Sequence, residues 1–308
     1  MKAALLNEVG GVPSVGEFDE PVAADGETVA DVLVAALNPI DRLLAAGGPY
    51  GAPPIPSIVG REGVARLGDG TRVYFKDVRA PYGSIAERAP FNAAAAIPIP
   101  DGVDEAAAVA AGIAGTTAYG ALKHRAALQP DETVLVLGAS GAAGGIAVQV
   151  AKLLGAKRVV AAARHTPALE ALRDRGVADE IVTLTGDDAQ ALKAASDGGY
   201  DVVIDPLFGQ QTPAALAATK MNGRCVVFGS LAGRQSTVSY GEILGKSLLG
   251  FVGAQVPPEG QRAGYLQLLD WIASGDLVVS TRRLPIEQVS DAWEALAASP
   301  HHKLVIEP

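Results

Sequence analysis

An α/β architecture, with one doubly wound parallel sheet and a second, β-rich domain, is predicted for this chain by three features of its sequence. From Thr133 onward short apolar runs alternate with stretches of helical spacing. The first hundred residues are instead β-rich and irregular. At residues 135–155, "LVLGASGAAGGIAVQVAKLLG", an apolar strand runs into a cluster of glycines and then into a helix. Alternation of strand and helix implies a parallel sheet covered on both faces, because parallel strands need a crossover between them.

The apolar runs are "TVLVLG", "RVVAAA", "EIVTL", "YDVVID", "GRCVVFG" and "SLLGFVG". Between them lie segments such as "TPALEALRDRG" and "TPAALAATKM", whose apolar residues recur at helical spacing. In the helix that follows the glycines, Ile146, Val150 and Leu154 share a face, and Gln149 and Lys152 are expected to turn away from it. Upstream, "ETVADVLVAALN" reads as a strand and "GVARLGDGTRVYF" as a hairpin turning at Asp69-Gly70. Prolines crowd "GGPYGAPPIPS", which reads as a loop. After Gly253 come two amphipathic helices, "GQRAGYLQLLDWIASG" and "EQVSDAWEALAAS", and a closing strand, "KLVIEP". The expected domains are therefore 1–110, β-rich; 111–253, nucleotide-binding; and 254–308, returning to the first. No repeat of fixed period is visible.

Composition narrows the function classes. The 308 residues suffice for two domains with large cores. The 25 basic residues face 34 acidic ones, a net charge of −9, with no basic cluster, which argues against a nucleic-acid or anionic-membrane surface. "MKAALLNEVGG" has too short an apolar run for a signal peptide, and glycines and threonines break the alanine-rich stretch 106–122. The single cysteine, Cys225, allows no intrachain disulfide. A cytoplasmic protein is expected.

The glycines fit G-x-G-x-x-G with Ala139 in the first position, then Gly141 and Gly144. That pattern answers a need for a tight turn, close backbone approach to a pyrophosphate, and tight packing of helix on strand. The amides of residues 142–145 would open the helix, where free N–H groups and the dipole favour an anion. Steric need alone also places glycine at such corners. Here the pattern follows a strand, opens a helix and heads a series of strand-helix units, so it reads as a Rossmann dinucleotide site. Ser140, Gly141, Ala142, Ala143 and Gly144 are its phosphate-facing residues. The next strand, "RVVAAARH", ends without the acid that holds the ribose 2′-hydroxyl of NAD. Ala163 stands there instead, and Arg164 and His165 follow, as a 2′-phosphate would want. NADPH is the expected cofactor, with a solvated Arg164 as the alternative.

These segments together resemble the medium-chain dehydrogenases/reductases, and within them the zinc-free quinone oxidoreductase branch, along nearly the whole chain. "LNPIDRLLAAGG" is similar to that branch's N-P-x-D segment, with Asn38, Pro39 and Asp41 matching. "GSIAERAPFNAAAAIPIPDGVDEAAAVAAGIAGTTAYGAL" resembles the approach to its cofactor domain, and "LQPDETVLVLGASGAAGGIAVQVAKLLGA" its nucleotide motif. The ending "HHKLVIEP" is similar as well. The resemblance implies a GroES-like, partly open barrel for the β-rich domain. It also implies a nicotinamide pocket that includes Thr117, Phe228, Gly229 and Ser230, and a homodimer paired along the strand "SLLGFVG". The implied reaction is hydride transfer from NADPH to a quinone or an α,β-unsaturated carbonyl. The chain departs from the family in a shortened excursion between Gly60 and Gly83, which predicts a smaller rim. Asn38 and Arg61 stand where zinc-dependent relatives keep a cysteine and a histidine ligand.

Other sites are discarded. His124, His165, His301, His302 and Cys225 show no ligand spacing, so no metal is expected. "GEILGKS" is one residue short of a phosphate loop and precedes its strand, so it reads as a helix with a glycine cap. Ser140 is followed by Ala142 where a hydrolase elbow needs glycine. Without zinc another group must polarise the acceptor oxygen. Asn38 is the first candidate, through its amide N–H, and Tyr50 the second, as a phenol that can also give a proton. Asp41 is the third, although an aspartate after proline often organises its own loop. A quinone can take its proton from water, so no dedicated acid is required. A different class stays open: an NADP(H)-binding redox sensor or scaffold without turnover, because fold does not fix function.

Overall fold

A computed structural model describes residues 1–48 and 51–308, and the chain divides into two units, Met1–Ile113 with Leu269–Pro308, and Ala114–Leu268. The first unit begins with β1 (Lys2–Leu6), β2 (Ser14–Glu17) and the long β3 (Glu27–Ala36). It continues through α1 (Pro39–Ala45), β4 (Ser57–Ile58), β5 (Glu62–Arg66), β6 (Arg72–Lys76), β7 (Arg88–Asn92), β8 (Ile97–Pro98) and α2 (Glu105–Ala110). The second unit runs through α3 (Thr116–Gly120), β9 (Thr133–Leu137), α4 (Ala142–Leu153), β10 (Arg158–Ala163), α5 (Thr166–Asp174) and β11 (Glu180–Thr183). Then come α6 (Ala189–Ala195), β12 (Tyr200–Asp205), α7 (Gln211–Ala217), β13 (Thr219–Val227), α8 (Tyr240–Ile243) and β14 (Ser247–Gly250). Helix α9 (Pro258–Ser274) leads to β15 (Thr281–Pro285), α10 (Val289–Ala297) and β16 (Lys303–Glu307) in the first unit.

In the first unit β2-β1-β4 form a three-stranded sheet, and a seven-stranded sheet runs β15-β16-β3-β5-β6-β8 with β7 also on β3. Strand β3 is long enough to pair with β5, β7 and β16, which makes it the spine of this unit. Phe75 stacks on Phe91 with ring centroids 4.4 Å apart, in a core shared with Leu37, Trp293 and Ile306. The β5–β6 hairpin closes where the spacing predicts, with Gly70 N–H donating to Leu67 O at 2.9 Å.

The second unit is a six-stranded parallel sheet in the order β11-β10-β9-β12-β13-β14. Every residue of β9 is buried, as a central strand covered on both faces requires. The chain steps outward from β9 to β11, then crosses back to place β12 on the other side of β9. The carboxyl ends of β9 and β12 therefore flank a topological switch point, where open α/β sheets bind ligands.

Several boundaries differ from the sequence reading. The return to the first unit falls at Leu269, inside α9, and not at residue 254. The apolar face of that helix continues unbroken across the change, so the sequence carries no mark there. Helix α7 stops at Ala217, and Thr219, Lys220 and Met221 already belong to β13. Gln149 does not turn away: it is 3% exposed, its Nε2 donates to Gly145 O at 3.0 Å, and its Oε1 accepts from Arg175 Nη2 at 3.0 Å. A side chain that satisfies both ends of its amide can sit in a helix's buried face. Among the described residues no helix is long and apolar enough to cross a membrane.

Candidate functional site

The switch point of the second unit is shaped by backbone. Gly138 follows β9 at φ +60°, and its carbonyl accepts from Gly141 N–H at 3.0 Å, closing the turn that delivers the chain to α4. A Cβ on Gly144 would lie 2.2 Å from Gly138 O, so helix and turn touch backbone to backbone. Any side chain there pushes α4 off the strand. The first intrahelical bond is Gly145 N–H to Gly141 O at 2.8 Å. The amides of Ala142, Ala143 and Gly144 precede it and remain for an anion, whereas Gly145, grouped with them in the sequence reading, is committed. No acidic residue lies in the first turn to compete.

Neighbouring strand ends converge on this turn. Ala139 N–H donates to Ala162 O at 3.1 Å, which brings the end of β10 alongside. There Ala163 is buried, and Arg164 is exposed, with no hydrogen bond or ion pair among the described residues. His165 caps α5, its Nδ1 accepting from Ala168 N–H at 3.3 Å, so its ring holds the turn that carries Arg164. On the other side Asp205, at the end of β12, is fully buried and missed by the sequence reading. Its Oδ1 accepts from the N–H groups of Leu207 and Phe208, both at 2.8 Å, and its Oδ2 from the Thr212 hydroxyl at 2.7 Å. Burial raises its pKa while these donors pull it back. The loop it fixes carries Pro206, which approaches both Gly138 and Gly229. Phe228, Gly229 and Ser230 are thus brought to the cradle, and Thr117 lies on α3, which packs on α4. The donor set, the approach of bare backbone and the free cation beside it fit a dinucleotide phosphate.

The first unit holds a separate, buried polar cluster. Asn38 is 2% exposed, and its amide is spent: Nδ2 donates to Glu62 Oε1 at 2.8 Å and to Ala36 O at 3.4 Å, and Oδ1 accepts from Lys303 Nζ. Both amide hydrogens are in use, so the expected donation from Asn38 to an acceptor oxygen is not available in this arrangement. Its backbone N–H donates to Asp41 Oδ2 at 2.7 Å. Glu62, 0% exposed, also accepts from the Tyr74 hydroxyl at 2.9 Å and Ile113 N–H at 2.6 Å. Burial lowers the Lys303 pKa and pushes Asp41 up to about 7. Glu62, Tyr74 and Lys303 escaped the sequence reading; the one signal was a charged residue opening each of two largely apolar strands, β5 and β16. Tyr50 lies outside the described residues. Among the described residues no three His, Cys, Asp or Glu side chains form a ligand group for a metal.

Comparison with known proteins finds the following similarities. Residues 142–274 match the zinc-binding dehydrogenase family. The chain is 34% identical to quinone oxidoreductase-like protein 2 of Bos taurus over 49% of its length and 43% of that protein's. It is 32% identical to prostaglandin reductase 1 of Bos taurus, over 61% of its own length and 58% of the other's. The aligned segments thus span about half of these two relatives. A crystal structure of the quinone oxidoreductase from Thermus thermophilus, solved also as its complex with NADPH, superposes with a TM-score of 0.82 over 100% of both chains, at 29% identity.

The backbone contact at Gly144 makes a direct prediction. Gly144→Ala should destabilise the second unit by about 1–3 kcal/mol through overpacking. Gly241→Ala, whose Cβ meets nothing within 4 Å, should leave the unfolding transition in place. Equal midpoints for the two variants in urea would show that α4 yields without cost.

Proposed function

We propose that this chain, which belongs to the medium-chain dehydrogenase/reductase superfamily in its quinone oxidoreductase-like branch, is an NADPH-dependent reductase of quinones or α,β-unsaturated carbonyls that works without zinc. The observation that carries the cofactor half is the cradle itself: bare first-turn amides at the switch point, with Arg164 and no acid after the second strand. The zinc-free half rests on Asn38 and Arg61 at the positions where zinc-dependent relatives keep ligands.

When bound, the cofactor supplies a hydride equivalent from its reduced nicotinamide ring. The chain does the rest. Ser140, Gly141, Ala142, Ala143 and Gly144 hold the pyrophosphate, and the dipole of α4 favours its charge. Arg164 pairs with the 2′-phosphate, on a turn that His165 keeps in place. Thr117, Phe228, Gly229 and Ser230 border the nicotinamide. On the acceptor side Asp41 and Tyr50 are the hydrogen-bonding candidates. Asn38 is a positioning residue, fixing Asp41 through its backbone N–H and Glu62 through its amide.

The assembly proposed is a homodimer. Strand β14 is an edge of the parallel sheet, and exposed apolar side chains, among them Val252 and Leu244, fringe it. Such an edge needs a partner, and a second copy across a two-fold axis supplies one.

Three measurements follow from this reading. By calorimetry NADPH should bind more tightly than NADH, and Arg164→Ala should weaken NADPH by about 1.5–3 kcal/mol while leaving NADH unchanged. Equal affinities for the two nucleotides in the unaltered protein would remove Arg164 from the site. NADPH oxidation should proceed with a panel of ortho- and para-quinones and enones, and no NADPH should form from simple alcohols. Alcohols lack activation when no metal lowers the hydroxyl pKa. Tight NADPH binding with no turnover on any acceptor would favour a sensor. Light scattering at micromolar concentration should give a dimer mass, and a clean monomer would leave β14 unpaired.

A further inference from the structure

An open cleft of about 230 Å³ lies beside α1 in the first unit, with a wall that is mostly apolar, Leu6, Leu44, Ile58, Val59 and Val78 among it. Four polar side chains border it as well: Asp41, Arg61, Asp77 and Tyr82. Asp41 has Oδ2 taken by Asn38 N–H and Oδ1 buried, and the Tyr82 hydroxyl donates to Glu20 O at 3.5 Å. Arg61 and Asp77 stand just beyond the paired ends of β5 and β6, where Asp77 N–H donates to Arg61 O at 2.9 Å. The register of the hairpin thus sets their side chains against each other. Arg61 Nη2 donates to Asp77 Oδ1, and Nε and Nη1 have no partner among the described residues. A guanidinium carries five N–H donors in a rigid fork, and a carboxylate takes two of them side by side. One contact with Asp77 therefore leaves an edge of the fork open. The Arg61 charge also acts on Asp41, so the guanidinium stands between two carboxyl groups of the cleft wall. Asp77 Oδ2 lies 4.0 Å from Lys76 Nζ, so its one charge is divided between two cations. Arg61 and Asp77 are 36% and 53% exposed, and an ion pair in that position contributes little stability. An incoming carboxylate meets no strong internal competitor.

We propose that Arg61 is a specificity-determining residue: the cleft takes a small apolar molecule carrying a carboxylate, and the open edge of the Arg61 guanidinium reads that group. Asp77 holds the guanidinium in place, and the apolar wall takes the body of the molecule. The proposal rests on the reductase reading only in making that molecule the acceptor, a quinone or α,β-unsaturated ketone with an acidic side group. Small-molecule sites commonly bind the bulk of a ligand on apolar surface and orient it with a few polar groups. Arg61 is the one cation among the described side chains that line the cleft. A dry cavity of about 150 Å³ holds a benzene ring. The cleft therefore suits one ring or a short branched chain.

The test is a fluorine NMR titration of the whole chain, without cofactor, in about 0.02 M and about 0.5 M salt at neutral pH. The probes are 4-fluorobenzoate, the uncharged 4-fluorotoluene and the cationic 4-fluorobenzylammonium. At low salt the benzoate should bind about tenfold more tightly than the toluene, and the ammonium least of the three. At high salt the benzoate's advantage should shrink severalfold, because the guanidinium is partly exposed. Arg61→Gln should bring the benzoate down to the level of the toluene. Asp77→Asn keeps an oxygen for Nη2 and removes the competing charge, so it should tighten the benzoate about threefold. The opposite signs of the two variants separate charge reading from a lesion in the fold. Benzoate binding no tighter than toluene, or unmoved by Arg61→Gln, would overturn the proposal. Turnover is then measured with NADPH on benzylideneacetone and its 4-carboxy derivative. The carboxylate should raise kcat/KM about tenfold, and Arg61→Gln should remove that preference. Turnover of both enones without a preference would overturn the role of Arg61 and leave the reductase reading. Benzoate bound as described, with no turnover on either enone, would overturn the reductase reading and leave Arg61 as the reader of a carboxylate.

Discussion

One buried carboxylate organises the first unit. Glu62 has no solvent exposure, and its oxygens are met by donors from separated parts of the chain: Asn38 just before α1, Tyr74 on β6, Ile113 after α2, and Lys303 on β16. A charge in that position is tolerable only when every donor is in place, because removing one leaves it uncompensated in low dielectric. The cluster therefore specifies how α1, both strands of the hairpin and the closing strand pack, in a way that apolar contacts alone leave degenerate. It also dictates a glycine. A Cβ at residue 112 would sit 2.1 Å from Glu62 Oε2, so the helical run after α2 breaks at Gly112, with ψ −113°, to let Ile113 N–H reach the carboxylate.

The second unit is organised by the opposite means. Its functional end is built from backbone, with Gly144 and Gly229 removing side chains where two main chains touch and Gly138 making room for the side chains of Pro206 and Leu207. The free amides of α4 supply a positive end without a titratable group, so the cradle's field does not change with pH. Arg164, exposed just after β10, stands on the turn that His165 caps. Phosphate recognition of this kind depends on position alone.

This contrast explains what was legible in the sequence. The second unit is written in periodicity and glycine spacing, both local properties, so the strand-helix alternation and the cradle at 138–144 could be read directly. The first unit's polar cluster is written in long-range partners. Glu62 and Lys303 are far apart in sequence and joined only by the β3-centred sheet, and each sits in a strand where one polar residue reads as ordinary alternation toward solvent. Gln149 misled for the same reason, since its second partner, Arg175, lies in a different element. Asn38 was recognised from its motif, and its amide is held by Lys303 and Glu62, partners that the motif does not name. A resemblance located the residue, and the hydrogen-bond inventory decided what it can do.

The same inventory separates two buried aspartates that look alike in sequence. Asp205 accepts three hydrogen bonds across both oxygens, and each donor belongs to the loop or helix that it fixes. Nothing is left over, and its task is to shape the rim of the switch point. Asp41 accepts one hydrogen bond, on Oδ2, and its Oδ1 is buried with no partner among the described residues. Both are raised by burial, so the shift alone does not tell them apart. What does is satisfaction: the carboxyl group of Asp205 finds its partners inside the fold, and that of Asp41 keeps one buried oxygen that no donor among the described residues meets.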